Sequence, residues 1–299
     1  MKTNVLSKIN DFSVIYNETK SPFAVYANEQ LVKIQTNSET IITSIKNELD
    51  KLLIYTVSEL KISTSSLLET LIHNFGVKDV TQKDIQRRLK VLSASEFLDT
   101  YRFENRTAQS SNKIYMLGWR GAGFLKSSNS KKLRLGNYLK ELDATQTKKI
   151  LSTTQYLIKS GFDLASFSMC EPVFVPSNKN DGKIFRPQSI VRTGTETVLF
   201  IEAVRQNNEW KPDLINKLDR IVAVAQAKKN NIDFVKQNTS LLLIAENTEH
   251  MKQIMKLVNS YYIYYPIRII YSADTLTYAY PENCLYSIKR NILTAFFSA

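Results

Sequence analysis

Residues 81–125 limit the possible folds of this chain more than any other segment. The segment begins with Thr81, whose hydroxyl can accept a hydrogen bond from a free amide in the first turn of a helix. Asp84 follows three residues later, close to a capping box. Apolar side chains then recur at roughly helical spacing, at Ile85, Leu89, Leu92 and Phe97. These signals predict an amphipathic helix that begins after Thr81.

The opposite face of this helix is polar and basic. It carries Gln82, Lys83, Gln86, Arg87 and Lys90. Side chains of these types contact phosphates or base edges when a helix lies in the major groove of DNA. A helix with several cations on its outer face is more often simply solvated, so this face alone leaves both interpretations open.

Two earlier helices are predicted upstream. The first covers residues 38–62 and is capped by Ser38, and the second runs from Ser63 or Thr64 to Gly76, a residue type that often ends helices. His73, on the second helix, is expected to be a partly exposed surface residue rather than a ligand.

Two strands are predicted after the basic helix, over residues 101–103 and 114–117, joined by a polar loop over residues 104–113. Three helices followed by two strands is the order of a winged helix-turn-helix, here covering residues 38–130. In such a domain the two strands and their loop form the wing. Its candidate DNA-contacting residues are Arg102, Arg106 and Lys113.

The positive charge of the chain is concentrated in this region. Residues 83–149 hold 15 Lys plus Arg against 6 Asp plus Glu, whereas residues 1–82 hold 8 against 9 and residues 150–299 hold 17 against 13. Clustered positive charge favours phosphate binding through the release of counterions. An acidic protein partner is the alternative, because no amphipathic helix has the strong apolar face that a membrane anchor needs.

Composition excludes several other classes. Cys170 and Cys284 lie far apart, which excludes a zinc ribbon and a disulfide scaffold. The only histidines are His73 and His250, so a histidine-based metal site or catalytic triad has little support. No long apolar run and no apolar signal core occur in the sequence, so we expect no transmembrane helix and a cytoplasmic location.

The remaining chain divides into three further regions. Residues 1–37 predict an N-terminal arm or hairpin, with short strands over residues 23–26 and 31–34. Residues 131–161 predict a helical connector, with a helix from Leu135 to Gly161. Residues 162–299 predict an α/β domain.

Within the α/β domain, strand and helix patterns alternate. Strands are predicted over residues 171–175, 184–192, 197–204, 241–245 and 267–271, with the first two forming a hairpin, and helices over residues 213–228 and 249–262. The tail, residues 276–299, is expected to end in a short packed helix. This pattern predicts a mixed sheet, and the whole chain is therefore expected to be an α+β protein.

The two halves together resemble the replication-relaxation family of bacterial plasmids and mobile elements. The resemblance rests on the helix sequence of residues 85–92 and on Tyr115-Met116-Leu117 followed by Gly121. It continues in Arg186-Pro187-Gln188 and Glu202-Ala203-Val204. It implies a sequence-specific DNA-binding protein of a plasmid, phage or conjugative element that regulates transcription, replication or transfer, and acts as a homodimer.

The C-terminal layout is also similar to the restriction-endonuclease fold, in which an Asp and a Glu-x-Lys hold a divalent metal. Here Gln188 stands at the Asp position, Glu202 at the Glu position and Val204 at the Lys position, while Arg205 points to the opposite face of its strand. The resemblance therefore implies a dismantled metal site, with no cofactor and no catalysis, and a C-terminal domain that serves as a dimerisation or partner-binding module. Two alternatives remain, a metal-dependent DNA nuclease centred on Glu202 and a protein-interaction scaffold.

Overall fold

The computed structural model describes residues 21, 23–26, 29–104, 113–127, 143–175, 183–193, 197–226, 238–261, 267–279, 281, 284–289 and 292–295. The chain forms two compact units. The first unit is Val25–Thr154, and the second unit combines Met1–Ala24 with Gln155–Ala299. Each unit contains helices and one main β-sheet, so the fold class is α+β, as predicted. The sequence instead suggested divisions near residues 37, 130 and 161.

The first unit is built on a four-stranded antiparallel sheet with the order β1-β3-β4-β2. Its elements are β1 (Gln30–Ile34), α1 (Glu48–Leu60), β2 (Ile62–Thr64), α2 (Ser65–Asn74), α3 (Gln82–Ala94), β3 (Leu98–Glu104), β4 (Ile114–Leu117), α4 (Trp119–Ser127) and α5 (Ala144–Lys159). The last residues of α5 belong to the second unit. Side chains of α1, α2 and α3 with no exposed surface form the core, among them Leu53, Leu68 and Leu89.

The prediction of a helix over residues 38–62 is wrong in its first part, because α1 begins at Glu48. The side chain of Asn47 accepts a hydrogen bond from the amide of Leu49 and caps the helix there. The amide of Ile42 instead donates to the Ser95 hydroxyl at 3.0 Å, which holds the preceding segment in a non-helical path. Residues 40–45 are rich in Thr and Ile, and such β-branched side chains lower helix propensity.

The predicted N-terminal hairpin is also wrong, since residues 23–26 lie outside any strand. The strand over residues 30–34 pairs with β3, in a register that places Val32 opposite Arg102. Glu29 forms a buried ion pair with Lys148 at the start of α5, and the Lys148 ammonium lies 5.0 Å from the ring centroid of Tyr26. The segment is therefore held by contacts distant in sequence, which a local pattern does not reveal.

The elements from α2 to β4 follow the prediction closely. Thr64 caps α2, and Gly76 adopts a φ of 85°, the left-handed conformation expected for a glycine after a helix. Two glycines then allow α4 to approach the end of α3. A Cβ atom on Gly118 would lie 2.4 Å from the carbonyl oxygen of Glu96, and one on Gly121 would lie 2.2 Å from that of Phe97.

The second unit contains a seven-stranded mixed sheet with the order β13-β12-β11-β10-β9-β8-β5 and a separate ribbon, β6-β7. Its elements are β5 (Phe167–Met169), β6 (Val173–Val175), β7 (Lys183–Phe185), β8 (Ser189–Thr193), β9 (Thr197–Ala203), α6 (Trp210–Gln226), β10 (Asn238–Ala245), α7 (Thr248–Tyr261), β11 (Arg268–Ala273), α8 (Asp274–Ala279), β12 (Tyr286–Lys289) and β13 (Ile292–Ala295). β9, β10 and β11 run parallel to one another. Their near-continuous apolar sequences suit central strands covered on both faces.

Two predictions for this unit need correction. The segment predicted as one strand over residues 184–192 is two strands, β7 and β8, interrupted at Pro187, which cannot donate to a sheet. The tail forms the antiparallel pair β12–β13 rather than a short helix, with Ile288 opposite Leu293. Its isoleucines and aromatic residues favour strands, and this preference prevails. Phe296 and Phe297 lie outside the described residues.

Candidate nucleic-acid interface

The N-terminus of α3 is fixed by a complete capping box. The Thr81 hydroxyl accepts from the amide of Asp84 at 3.3 Å, and the Asp84 carboxylate accepts from the amide of Thr81, also at 3.3 Å. The hydrogen bond from the Thr81 hydroxyl to this carboxylate, at 2.6 Å, is the main reason why the pKa of Asp84 lies below its ordinary value. The helix therefore begins where the sequence predicts.

One cation of α3 points into the unit rather than away from it. Arg88 donates two hydrogen bonds to the carboxylate of Asp50 on α1, at 2.8 and 2.5 Å. The Asp50 side chain is 1% exposed, so this bidentate pair is largely shielded from water. Arg88 thus attaches α3 to α1 and leaves the outer face of the helix to its other polar residues.

That outer face forms one wall of a cleft of about 850 Å³. Residues of α3, of the sheet and the segments next to it, and of the start of α2 surround it: Thr36, Thr64, Ser65, Ser66, Gln82, Lys83, Asp84, Gln86, Arg87, Lys90, Thr100, Lys113 and Tyr115. Its cations come from two sides, since Lys83, Arg87 and Lys90 belong to α3, whereas Lys113 directly precedes β4.

Negative charge in the cleft is sparse. Among the lining residues the only carboxylate is Asp84, which lies 3.5 Å from the Arg87 guanidinium. The Arg87 side chain is still 74% exposed, so this contact leaves it accessible. Within the described part of the chain, no carboxylate lies within ion-pair distance of Lys83, Lys90 or Lys113. The cleft is a positively charged surface open to an anionic partner.

The structure brings together most of the residues that the sequence singles out. Gln82, Lys83, Gln86, Arg87, Lys90 and Lys113 all line the cleft. Arg102 lies two residues beyond Thr100 on β3, and therefore on the same face of the sheet, where it forms an ion pair with Glu104. Arg106 lies outside the described residues.

Sequence reasoning missed the hydroxyl groups of the cleft: Thr36, Thr64, Ser65, Ser66, Thr100 and Tyr115. The Ser65 hydroxyl accepts a hydrogen bond from the side-chain amide of Gln86 at 3.4 Å, which links the start of α2 to the basic face of α3. The only local signal was the run Thr64-Ser65-Ser66 at a helix start, which also serves as an ordinary cap. His73 is partly exposed, as expected, and its Nε2 lies 2.9 Å from the carbonyl oxygen of Val80 in the turn before α3.

In the second unit, the positions compared with a nuclease site are adjacent. β8 and β9 pair with Ser189 opposite Ile201, which places Gln188 beside Glu202, and the Gln188 side-chain oxygen accepts from the amide of Ala203 at 3.2 Å. Glu202 is 1% exposed and pairs with Lys217 of α6. No cluster of three or more His, Cys, Asp or Glu suited to a metal ion occurs among the residues that the structure describes.

Arg205 belongs to a second buried charge cluster, at the carboxyl ends of the parallel strands. Its guanidinium donates to both carboxylate oxygens of Asp274, at 2.8 and 3.2 Å, and neither side chain has exposed surface. Ser21 also donates to Asp274, at 2.5 Å. Burial, and to a lesser degree Arg205, lowers the pKa of the nearby His250 to about 3, so that its ring is neutral. No local pattern in the sequence indicates these partners.

No known family model matches this chain, and no curated protein or solved structure matches it significantly. Among the helices that the structure describes, none combines the length and apolar character needed to cross a membrane.

Proposed function

We propose that the first unit is a winged helix-turn-helix domain that binds duplex DNA sequence-specifically, with α3 in the major groove and the β3–β4 hairpin as the wing. The observation that supports this most is the convergence of the cations of α3 and of Lys113, directly before β4, on one cleft whose lining contains a single carboxylate. Neutralisation of phosphates by such cations releases counterions and favours binding. The order of the elements from α1 to β4 fits the same type of domain.

The residue types suit two kinds of DNA contact, with base edges and with the phosphate backbone. Arg87 and Gln86 are suited to bidentate contacts with guanine and adenine, respectively. Lys83, Lys90 and Gln82 flank them on the same face of α3. On the wing side, Lys113, Arg102 and Arg106 would contact the backbone or the minor groove. Arg102 would have to exchange its contact with Glu104 for one with DNA.

For the second unit we propose a role in dimerisation or in binding a protein partner. The whole chain would then regulate transcription, replication or transfer in a plasmid, phage or conjugative element, in line with its resemblance to the replication-relaxation family. The adjacency of Gln188 and Glu202 fits a restriction-endonuclease-like sheet whose metal site has lost a carboxylate. A homodimer would present two copies of α3 to a palindromic site.

A metal-dependent nuclease is the second candidate, because the same adjacency places two of the required positions side by side. Binding of Mg²⁺ in such a site needs converging carboxylates. Here Gln188 supplies an amide, and Glu202 already pairs with Lys217. We therefore expect no cleavage of DNA in the presence of Mg²⁺ or Mn²⁺. Metal-dependent cleavage that is lost in Glu202→Ala would establish the nuclease instead.

The proposal is tested by titrating the full chain against duplex fragments of its own genetic neighbourhood, at two salt concentrations, with and without Mg²⁺. We expect tight, salt-dependent binding to one fragment without cleavage. The variant Arg87→Ala/Lys90→Ala should weaken binding and reduce the log–log salt slope by about two units. Its matched control is Lys46→Ala/Lys126→Ala, which removes two exposed charges of the same unit outside the cleft.

Two outcomes would contradict the proposal. If the cleft variant binds as tightly as its control, α3 does not contact DNA. If no fragment is shifted while a protein partner binds independently of salt, the first unit is a protein-interaction scaffold.

A further inference from the structure

A tyrosine that is almost completely buried lines the cleft. Tyr115 is 4% exposed and lies in the sheet between Ser63 of β2 and Thr100 of β3. Its side chain nevertheless faces the cleft, and none of the residues that the structure describes forms a hydrogen bond with its hydroxyl. The hydroxyl is therefore available to donate a hydrogen bond to an acceptor that enters the cleft.

A second hydroxyl in the cleft also lacks a hydrogen-bond partner. The Oγ1 atom of Thr36 is buried and has no hydrogen-bond partner among the described residues. Thr100, by contrast, uses its hydroxyl in a hydrogen bond of 2.8 Å to Ser93. The cleft therefore offers two hydroxyl donors that the unit itself does not use.

Positive potential surrounds these hydroxyls. Ser65 and Ser66 at the start of α2 line the cleft, and the first turn of α2 contains no acidic residue that would offset the positive end of the helix dipole. β2 and β4 pair with Thr64 opposite Ile114, which brings Lys113 beside the start of α2. Lys90 approaches from α3.

We propose that Tyr115, together with Thr36 and the start of α2, receives one phosphate group of the DNA backbone, whose charge Lys90 and Lys113 neutralise. This inference rests on the DNA binding proposed above and specifies which part of the duplex enters the cleft. It also separates two roles within the site, with Gln86 and Arg87 reading bases and Tyr115 fixing the position of the backbone.

The chemistry of the lining selects a phosphate rather than a base edge. The hydroxyls and ammonium groups can all donate hydrogen bonds, and a phosphodiester offers only acceptors, whereas most base edges present both donors and acceptors. Burial raises the pKa of Tyr115 to about 12, so its hydroxyl stays a neutral donor wherever duplex DNA is stable. A cleft of this size admits a segment of one backbone, not a whole duplex.

The test compares Tyr115→Phe with Tyr101→Phe in the full chain. Both variants remove one hydroxyl from the same hairpin, but Tyr101 pairs with Ile114 and lies on the opposite face of the sheet. Binding to fluorescein-labelled duplexes of two unrelated sequences is measured by anisotropy over a series of NaCl concentrations. Thr36→Val and Lys113→Gln complete the set, and circular dichroism checks that each variant is folded.

We expect Tyr115→Phe to weaken binding to both duplexes about tenfold, because a hydrogen bond to a charged group is lost. Its salt slope should not change, since tyrosine is neutral, whereas Lys113→Gln should lower the slope by about one unit. Thr36→Val should weaken binding several-fold in the same uniform way. Tyr101→Phe should bind as the wild type does.

Wild-type affinity in both Tyr115→Phe and Thr36→Val, with binding still lost in Arg87→Ala/Lys90→Ala, would overturn the phosphate subsite and leave the proposed function standing. Absence of salt-dependent binding by the wild-type chain would overturn both.

Discussion

The two units differ in the exposure and pairing of their charged side chains. In the first unit, the cations of the cleft are exposed, and the single carboxylate among the lining residues leaves most of them without an ion pair. In the second unit, Arg205 and Asp274 are fully buried and form a bidentate ion pair with each other. The exposed charges contribute little to stability and remain available to a partner, whereas the buried pair cannot lose one member without leaving a charge in a low-dielectric environment.

The position of a charged side chain, rather than its presence, therefore indicates its role. Arg87 and Arg88 are neighbours in sequence, yet Arg87 is 74% exposed in the cleft and Arg88 holds the buried Asp50. The two tryptophans of the chain, Trp119 in the first unit and Trp210 in the second, allow each unit to be followed separately, in backgrounds that retain only one of them.

The largest effect is expected for Asp274→Ala. This change leaves the Arg205 guanidinium buried without its carboxylate and should lower the free energy of unfolding of the second unit by about 3–5 kcal/mol. Urea denaturation followed by Trp210 fluorescence measures it. The exposed Asp213→Ala serves as the control and should change stability by less than about 0.5 kcal/mol. A loss below about 1 kcal/mol for Asp274→Ala would show that the buried ion pair does not stabilise the second unit.

The next largest effect on stability is expected for Arg88→Ala and distinguishes this residue from Arg87. Arg88→Ala leaves the Asp50 carboxylate buried and unpaired, and should destabilise the first unit by about 2–3 kcal/mol, as followed by Trp119 fluorescence. Arg87→Ala should leave stability unchanged and cost about 1–3 kcal/mol of DNA affinity if it reads a guanine. Equal effects of the two variants on stability would remove the distinction between them.

The third effect is a pH dependence confined to the second unit. The pKa of His250 is lowered to about 3 in the folded state, against about 6.5 in the unfolded chain, so the unfolded state binds more protons between these values. The stability that neutral His250 provides is therefore lost as the pH falls through this window, by about 2 kcal/mol between pH 7 and pH 5. The difference in urea stability between the wild type and His250→Asn should shrink accordingly, and a pH-independent difference would contradict the assignment.

The smallest effect concerns the exposed capping box of α3. Thr81→Ala removes the hydrogen bond to the amide of Asp84 and should cost about 1 kcal/mol of stability in the first unit. Thr81→Ser retains a hydroxyl and should restore most of this loss. Thr81→Ala should therefore cost less than Asp274→Ala, because the exposed helix end remains hydrated after the hydroxyl is lost.

Local signals predicted the parts of the structure that depend on local chemistry. Thr81 and Asp84 located the start of α3, Gly76 the end of α2, and the apolar residues of β9 a central strand. The polar residues of α3 that were singled out all line the cleft, because helical periodicity alone places them on one face.

The missed features depend on contacts between residues far apart in the chain. Ser21 and Asp274 are 253 positions apart, and Arg205 and Asp274 are 69 apart, so no pattern within a helix or strand reveals these hydrogen bonds. The pairing of β1 with β3 and the hydroxyls of Thr36 and Tyr115 in the cleft likewise arise only when the sheet forms.

The close approach of Gly118 and Gly121 to the backbone after α3 restricts which sequence changes these two positions can accept during evolution. Any side chain at position 118 or 121 would collide with a backbone carbonyl, which cannot move aside as a flexible side chain does. Selection should therefore preserve the Gly118-x-x-Gly121 spacing even where the residues of the cleft have changed. Distant homologues that share the architecture but not the cleft residues should be recognisable by these two glycines following the β4 strand.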